Sequence, residues 1–347
     1  MMIRNVLNKV FYLLWAAIML SMAVACPSVS DGEDAGTDAG ESAPGWESAF
    51  DASGAGSLSS VWGSGPEDVF VVGGDDDRGT AFHFDGSTWS SMMIPEGVPL
   101  LVWVYGFGPD DVFAVGVEGG MAHYDGTAWS PIETNLETDL WGIFGFSRDE
   151  LWIVGGDTSS GSPLLMKYDA DQETFETIEL NADQNPNGAY SLFKVWGIGD
   201  RLFAVGQRGL ILSYDSGNWA YQAAGALASE DFVSLWGNST DHIVAVGGRA
   251  NARIAVWDGS MWNTTAPSGL GGLNGVFMND SGRVDVGGVN GYMGLYATES
   301  DSLTDVASGT RLCIHAVWGD NAGKTYAVGG SFIPGNHLGV AIVIEDE

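Results

Sequence analysis

Four arginines could do chemistry in this chain: Arg78, Arg208, Arg249 and Arg253. A guanidinium can grip a carboxylate, phosphate or sulfate through two parallel N–H donors. The chain has 13 bases against 45 acids, so each arginine is an exception that needs a local reason. Asn251, Asn290, Tyr292, Phe332 and His337 fall in the same class of loop, and these nine residues form the candidate ligand-binding set. The plainer alternative for any one of them is a solvated loop residue. Asp75, Asp76 and Asp77 beside Arg78 supply a local reason of that kind. Asp183, Asn185 and Asn187 alternate as oxygen ligands, with Gly188 sixth, as calcium loops require. The twelfth position is Lys194 where an acid should stand. Asp169-Ala170-Asp171-Gln172-Glu173 has the alternation without the glycine. The default for both is a polar loop, so no metal and no cofactor is expected. Catalytic patterns are missing: no Gly-x-Ser-x-Gly, no His-x-x-x-His, no glycine loop opening a helix. Of the five histidines, His83 and His123 occupy one equivalent position, which periodicity explains better than metal binding.

The elements that must position these residues follow from a repeat. A short apolar run ending in aromatic-Gly recurs at Trp62-Gly63, Tyr105-Gly106, Phe144-Gly145, Trp196-Gly197, Trp236-Gly237 and Trp318-Gly319, with a degenerate copy at Phe277-Met278. A second run follows each and ends in glycine, at Gly73, Gly116, Gly155, Gly206, Gly247, Gly287 and Gly329. A third run ends in aromatic-Asp, as in Phe84-Asp85, Tyr124-Asp125, Tyr168-Asp169, Tyr214-Asp215 and Trp257-Asp258. A fourth opens with an aromatic: Trp89, Trp129, Phe175, Trp219, Trp262. The glycine spacings are 43, 39, 51, 41, 40 and 42, the period of a propeller blade, and 51 marks an insertion in the third copy. The expected fold is all-β: a seven-bladed β-propeller of four-stranded antiparallel blades. The last copy stops after its third strand, and Gly45-Trp46-Glu47-Ser48-Ala49-Phe50 looks like the missing fourth. The ring should therefore be closed by the N-terminal strand, which hides an open edge.

Blade topology sorts the loops. First-to-second and third-to-fourth connections share one face, which collects Glu67, Asp68, Asp110, Asp111, Asp149, Glu150, Asp200 and Asp241 and should be acidic. Second-to-third loops share the other face with the fourth-to-first connections and carry the nine candidates. Loops there converge on the axis, where propellers bind ligands. The turn aspartates Asp85, Asp125, Asp215 and Asp258 should accept backbone N–H groups of their own turns.

The N-terminus carries different information. Arg4 and Lys9 precede the uncharged run Val10 to Leu20, an export-signal pattern too short to span a bilayer. Ala23-Val24-Ala25-Cys26 resembles a bacterial lipobox, which implies cleavage before Cys26 and lipidation of it. The alternative is ordinary cleavage after Ala25. Acylated Cys26 would leave Cys313 without an intramolecular partner, as a small buried hydrophobe. The domain plan is thus 1–25 signal peptide, 26–45 tether and 46–347 propeller. Residues 27–45 hold five acids, no base and one large apolar residue, and cannot bury themselves. Removal of the signal takes Arg4 and Lys9 with it and lowers the formal charge from −32 to −34, which excludes nucleic acid as a partner and disfavours docking on anionic lipid.

The unit VWG…DVFAVG…YDGTxW resembles the repeat of secreted bacterial propeller lipoproteins without assigned activity. Its Asp-turn-Trp segment is similar to the Asp-box of neuraminidase-type propellers. The neuraminidase resemblance implies three converging arginines, a tyrosine–glutamate pair and an acid, and that set is not recognisable here. The expected role is a monomeric binding or scaffolding propeller for an envelope protein, peptide or glycan. It would be tethered only by the N-terminal lipid in a Gram-negative envelope, at the outer membrane before the inner. Two readings compete with it: a glycoside hydrolase or polysaccharide lyase with an axial site, and a structural surface-coat protein.

Overall fold

The computed structural model describes residues 45–75, 77–332 and 337–345. Seven four-stranded antiparallel sheets stand around a common axis. Their innermost strands are Ser57–Gly65, Leu101–Gly108, Leu140–Ser147, Leu192–Ile198, Phe232–Ser239, Leu273–Met278 and Cys313–Gly319, which head blades 1 to 7 in that order. Blades 1 to 6 each run outward in sequence order. In blade 7 the outermost strand is Trp46–Ser48, with Trp46 opposite Ile344, Glu47 opposite Val343 and Ser48 opposite Ile342. Trp46 is buried against Phe277, Ile314 and Ile342. Phe50 then crosses to blade 1, with ring centroids 4.8 Å from Phe82 and 4.7 Å from Trp89. The chain start thus closes the ring twice, once through the backbone and once through an aromatic bridge.

The second strand of each blade is buried along nearly its whole length, as in Val69 to Val72, Val112 to Val115 and Ile243 to Val246. Such strands meet neighbouring sheets on both faces, so they read as continuous apolar runs. The fourth strands are mostly exposed or half-buried, because one of their faces meets solvent.

Each innermost strand has a β-bulge at the same place near its start, and blades 1, 2, 3 and 5 have a second irregularity near its end. Pairing with the second strand skips Ser59, Val102, Trp141, Phe193, Val233, Asn274 and His315. This explains the repeated glycine on the second strand. A Cβ on Gly73 would lie 2.2 Å from the Ser57 carbonyl oxygen, on Gly116 2.1 Å from that of Leu100, and on Gly206 2.3 Å from that of Ser191. The bulge presses the inner backbone onto the second strand, and only glycine leaves room. In blade 6 this partner is Gly288, opposite Leu273, one residue beyond the glycine that spacing picked out.

Asp85, Asp125, Asp169 and Asp258 each accept two backbone N–H groups from the turn that follows. The Thr88 N–H leads in holding the Asp85 carboxyl down at about 2, and the Ser260 hydroxyl, ahead of the backbone N–H groups, does the same for Asp258. Asp215 departs from the expectation: its turn places Ser216 at φ 52° and Gly217 at φ 90°, and Asp215 takes only the Ser216 hydroxyl. Cys313 is buried, as expected, but it is disulfide-bonded and so is not the unbonded thiol that acylation of Cys26 would leave. Cys26, the chain's other cysteine, lies outside the described residues.

Candidate functional site: the bulged axial mouth

A β-bulge leaves its extra residue out of the ladder and re-aims its side chain. Repeated sevenfold around an axis, it gathers seven side chains into one ring. Ser59, Val102, Trp141, Phe193, Val233, Asn274 and His315 all line a cavity of about 150 Å³. Thr158, Gly248, Arg249 and Phe332 from second-to-third loops complete its rim, together with Asp231 from a fourth-to-first connection. The cavity therefore opens on the face where the loop argument placed the ligand.

The ring is divided. Blades 2 to 5 contribute Val102, Trp141, Phe193 and Val233, a continuous apolar arc. Blades 6, 7 and 1 contribute Asn274, His315 and Ser59, a continuous polar arc. Trp141 is oriented by its Nε1–H, which donates to the Gly156 carbonyl at 3.0 Å, and its ring meets Phe193 edge-on at 6.0 Å. His315 donates from Nδ1 to the Leu58 carbonyl at 2.9 Å and stacks on Phe332 at 4.6 Å. Burial pushes its pKa down to about 4, so the imidazole is neutral and Nε2 is an acceptor. Asn274 Nδ2 donates to the Ile314 carbonyl at 2.9 Å. The Ser59 hydroxyl is buried with no hydrogen-bond partner.

One residue deeper on the inner strands lie Trp103, which also lines the cavity, and Lys194. Lys194 is fully buried. Its Nζ sits 3.8 Å above the Trp103 ring centroid and 5.4 Å from that of Trp236, and Ser234 Oγ is 3.4 Å away. No carboxylate among the described residues pairs with it, and burial holds its pKa well below the usual lysine range. Deeper again, a belt of rings links blade to blade: Trp62 to Tyr105 at 5.8 Å, Tyr105 to Phe144 at 4.8 Å, Trp196 to Trp236 and Trp236 to Phe277 at 5.4 Å.

Of the nine predicted candidates, the structure brings two to the cavity, Arg249 and Phe332. Arg249 bonds Asp231, with Nη2 at 2.7 Å and Nε at 2.8 Å. Asp231 also accepts the Arg208 backbone N–H at 3.0 Å, so it ties blade 5 to blade 4. Arg208 stands at φ 54° in a tight turn that blades 2 and 6 repeat with Glu118 and Asn290. Its guanidinium donates to the Gly188 carbonyl at 2.9 Å and covers the Tyr190 ring at 4.4 Å. Arg253 donates to the carbonyls of Leu227, Asn251 and Ala252. Tyr292 donates its hydroxyl to Asp305. Arg78, Asn251 and Asn290 are exposed, and they and His337 lie outside the cavity lining.

The calcium candidates lie in an internally bonded loop. Asn185 Oδ1 accepts from Ala189 N–H, and its Nδ2 donates to the Ala189 carbonyl. Asn187 donates to the Arg208 carbonyl, and Asp183 donates its backbone N–H to Asn181. On the opposite, acidic face, His83 meets Asp68 at 2.6 Å and stacks on Phe70. His123 repeats this with Asp111 at 2.7 Å and Phe113. Arg148 joins Asp111 and Asp171 there.

Sequence reasoning missed the bulge column and Asp231. The signal was present: the seven residues stand three before the aromatic of each of the six aromatic-Gly pairs and of the degenerate Phe277-Met278. No protein-family model matches the chain, and no curated protein matches it. Solved propellers do. YCF48 bound to D1 peptide aligns over 87% of this chain and 97% of its own at 13% identity, TM-score 0.64. The WD40 β-propeller domain of Doa1 aligns over 86% and 97% at 10% identity, TM-score 0.65. The extracellular domain of the putative one-component system BT4673 from B. thetaiotaomicron aligns over 86% of this chain and 40% of its own at 13% identity, TM-score 0.65. At such identities the likeness is one of fold.

Proposed function

We propose that this protein is an exported binding propeller that captures a peptide or a projecting protein segment over the axial mouth. One observation carries the reading: seven identical bulges build a preformed cavity with an apolar arc and a polar arc. Binding sites are concave, mostly apolar and fitted with a few placed polar groups. The cavity lining holds one carboxylate, Asp231, and Arg249 occupies it. Glycoside hydrolysis uses two carboxylates about 5–10 Å apart, so this mouth is built for binding. Among solved propellers of this shape, YCF48 is one with a peptide bound.

Export rests on the N-terminal signal, and two fates of Cys26 exclude each other. The lipobox-like run favours acylation and anchoring in the envelope. The bonded state of Cys313 favours a disulfide, which also needs an oxidising, exported location. Palmitate labelling and a non-reducing peptide map decide between them.

The function is tested by peptide display against residues 45–347, followed by Thr158→Trp, which narrows the mouth, and Asp149→Ala on the opposite face. Selected peptides should lose at least about tenfold in affinity with Thr158→Trp, or about 1.4 kcal/mol, and nothing with Asp149→Ala. Failure to select any peptide, or equal binding of the selected peptides by both variants, would reject the reading.

A further inference from the structure

The mouth has a more specific chemistry than a general peptide cleft. We propose that the axial cavity is a receptor for a single phenol ring, the side chain of a partner's tyrosine or a free phenolic compound. The tyrosine source rests on the peptide-binding reading above; the phenol site does not.

Size comes first. A cavity of about 150 Å³ is of the volume that takes up benzene in an apolar protein interior. One six-membered ring fits and an indole does not fit fully.

The walls come second. Trp141 and Phe193 stand edge to face, and Trp141 is locked by its bond to the Gly156 carbonyl. With Val102 and Val233 they offer an apolar wall against which a ring can pack edge to face or face on.

The polar arc comes third, and it sets the functional group. His315 has Nδ1 committed to Leu58, which leaves Nε2 as an acceptor. Asn274 has Nδ2 committed to Ile314, which leaves its carbonyl oxygen as a second acceptor. The Ser59 hydroxyl is buried in the wall and lacks any partner. A buried hydroxyl in that state is short of a hydrogen bond worth having. A phenol O–H can donate to His315 Nε2 and accept from Ser59 Oγ. A carboxylate would face two acceptors and one donor. A cation would sit beside the Arg249 guanidinium on the rim. A neutral group that both donates and accepts, carried on one aromatic ring, matches all three residues.

The test uses 4-methylphenol, 4-methylanisole and toluene on the propeller, read by calorimetry and by the fluorescence of the cavity tryptophans. 4-Methylphenol should bind about tenfold more tightly than toluene, and 4-methylanisole, which cannot donate, no better than toluene. Ser59→Ala, which breaks no existing bond, should weaken 4-methylphenol about three- to tenfold and leave toluene unchanged. Asn274→Leu keeps the wall closed and should shift the preference toward toluene. Affinity for 4-methylphenol should stay flat as pH falls from about 8 to about 5, because His315, with its pKa near 4, does not protonate in that range. Acetyl-Gly-Tyr-Gly-amide and its Phe counterpart identify the source. A bound tyrosine peptide with a weak phenylalanine one assigns a partner chain; binding of 4-methylphenol without the peptide assigns a free phenol. Equal affinity for 4-methylphenol and toluene, or no effect of Ser59→Ala, overturns the proposal. If none of the three rings binds while displayed peptides still do, the phenol site is wrong and the binding mouth stands.

Discussion

Lys194→Met should stabilise this protein, and by an amount that depends on pH in a fixed direction. Lys194 lies wholly inside the ring, over Trp103, with Ser234 Oγ at 3.4 Å and no carboxylate partner among the described residues. Burial disfavours its charged form and lowers its folded pKa, while the unfolded chain keeps an ordinary lysine near about 10.4. Between those two values the unfolded state binds a proton that the folded state does not. Stability of the wild type therefore rises with pH through that window. Methionine has a similar length, fits beside aromatic rings and carries no proton. Near pH 10 the lysine loses most of this penalty, and the two proteins should differ by less than about 1.5 kcal/mol. Below that, the advantage of the Lys194→Met protein should grow by about 1.4 kcal/mol for each pH unit. Urea unfolding of both proteins at about pH 8 and about pH 9 measures the difference and cancels every other titrating group. A gap that stays constant across that interval would mean the amine remains charged in the fold, held by the Trp103 and Trp236 faces, and the burial argument would fail.

Three further expectations can be checked. Trp46→Ala should cost about 3–5 kcal/mol, and a chain starting at 54 should melt far below one starting at 44, since Trp46 and Phe50 close the ring; equal melting temperatures would refute closure by the N-terminal strand. Asp139 has its pKa pushed up to about 6, by burial first and then by Glu118 and Asp157, while it accepts the Glu118 backbone N–H at 2.9 Å. A carboxyl raised in this way weakens the fold above its folded pKa, so Asp139→Asn should stabilise above about pH 6, and the gain should vanish as pH falls toward about 4, in thermal melts across that range. Gly206→Ala should be strongly destabilising, because its Cβ would sit 2.3 Å from the Ser191 carbonyl oxygen and 2.9 Å from the Leu192 Cα, backbone that cannot swing aside; a crystal structure of a stable alanine variant with the bulge intact would remove that account.

Much of this molecule could be read from its sequence because the repeat writes the same local physics seven times. Aromatic-Gly, a buried apolar run ending in glycine, and Asp-turn-aromatic each reflect contacts inside one blade or with the next. Blade number and closure by Trp46 followed from counting strands, and the turn aspartates other than Asp215 behaved as their short-range hydrogen bonding required. The second-strand glycine was legible as punctuation, but its cause was not: Gly73 and Gly206 face a bulge in a strand that precedes them by more than ten residues. The site stayed hidden for the same reason. A bulge breaks the two-residue alternation from which strand faces are read, so Ser59, Trp141 and His315 point where alternation does not send them. Their nearness to one another exists only after the ring closes, since each pair is separated by a whole blade or more. The arginines show the converse. Residue type and loop placement marked Arg208 and Arg253 as candidate ligand-binding groups; in the closed ring one guanidinium donor of each goes to a carbonyl of a neighbouring loop. Which loops touch is a property of the closed ring. The sequence alone determined the blade and its sevenfold repetition, which short-range contacts encode; the tertiary structure decided what faces the axis, because only closure brings residues a whole blade apart to one mouth.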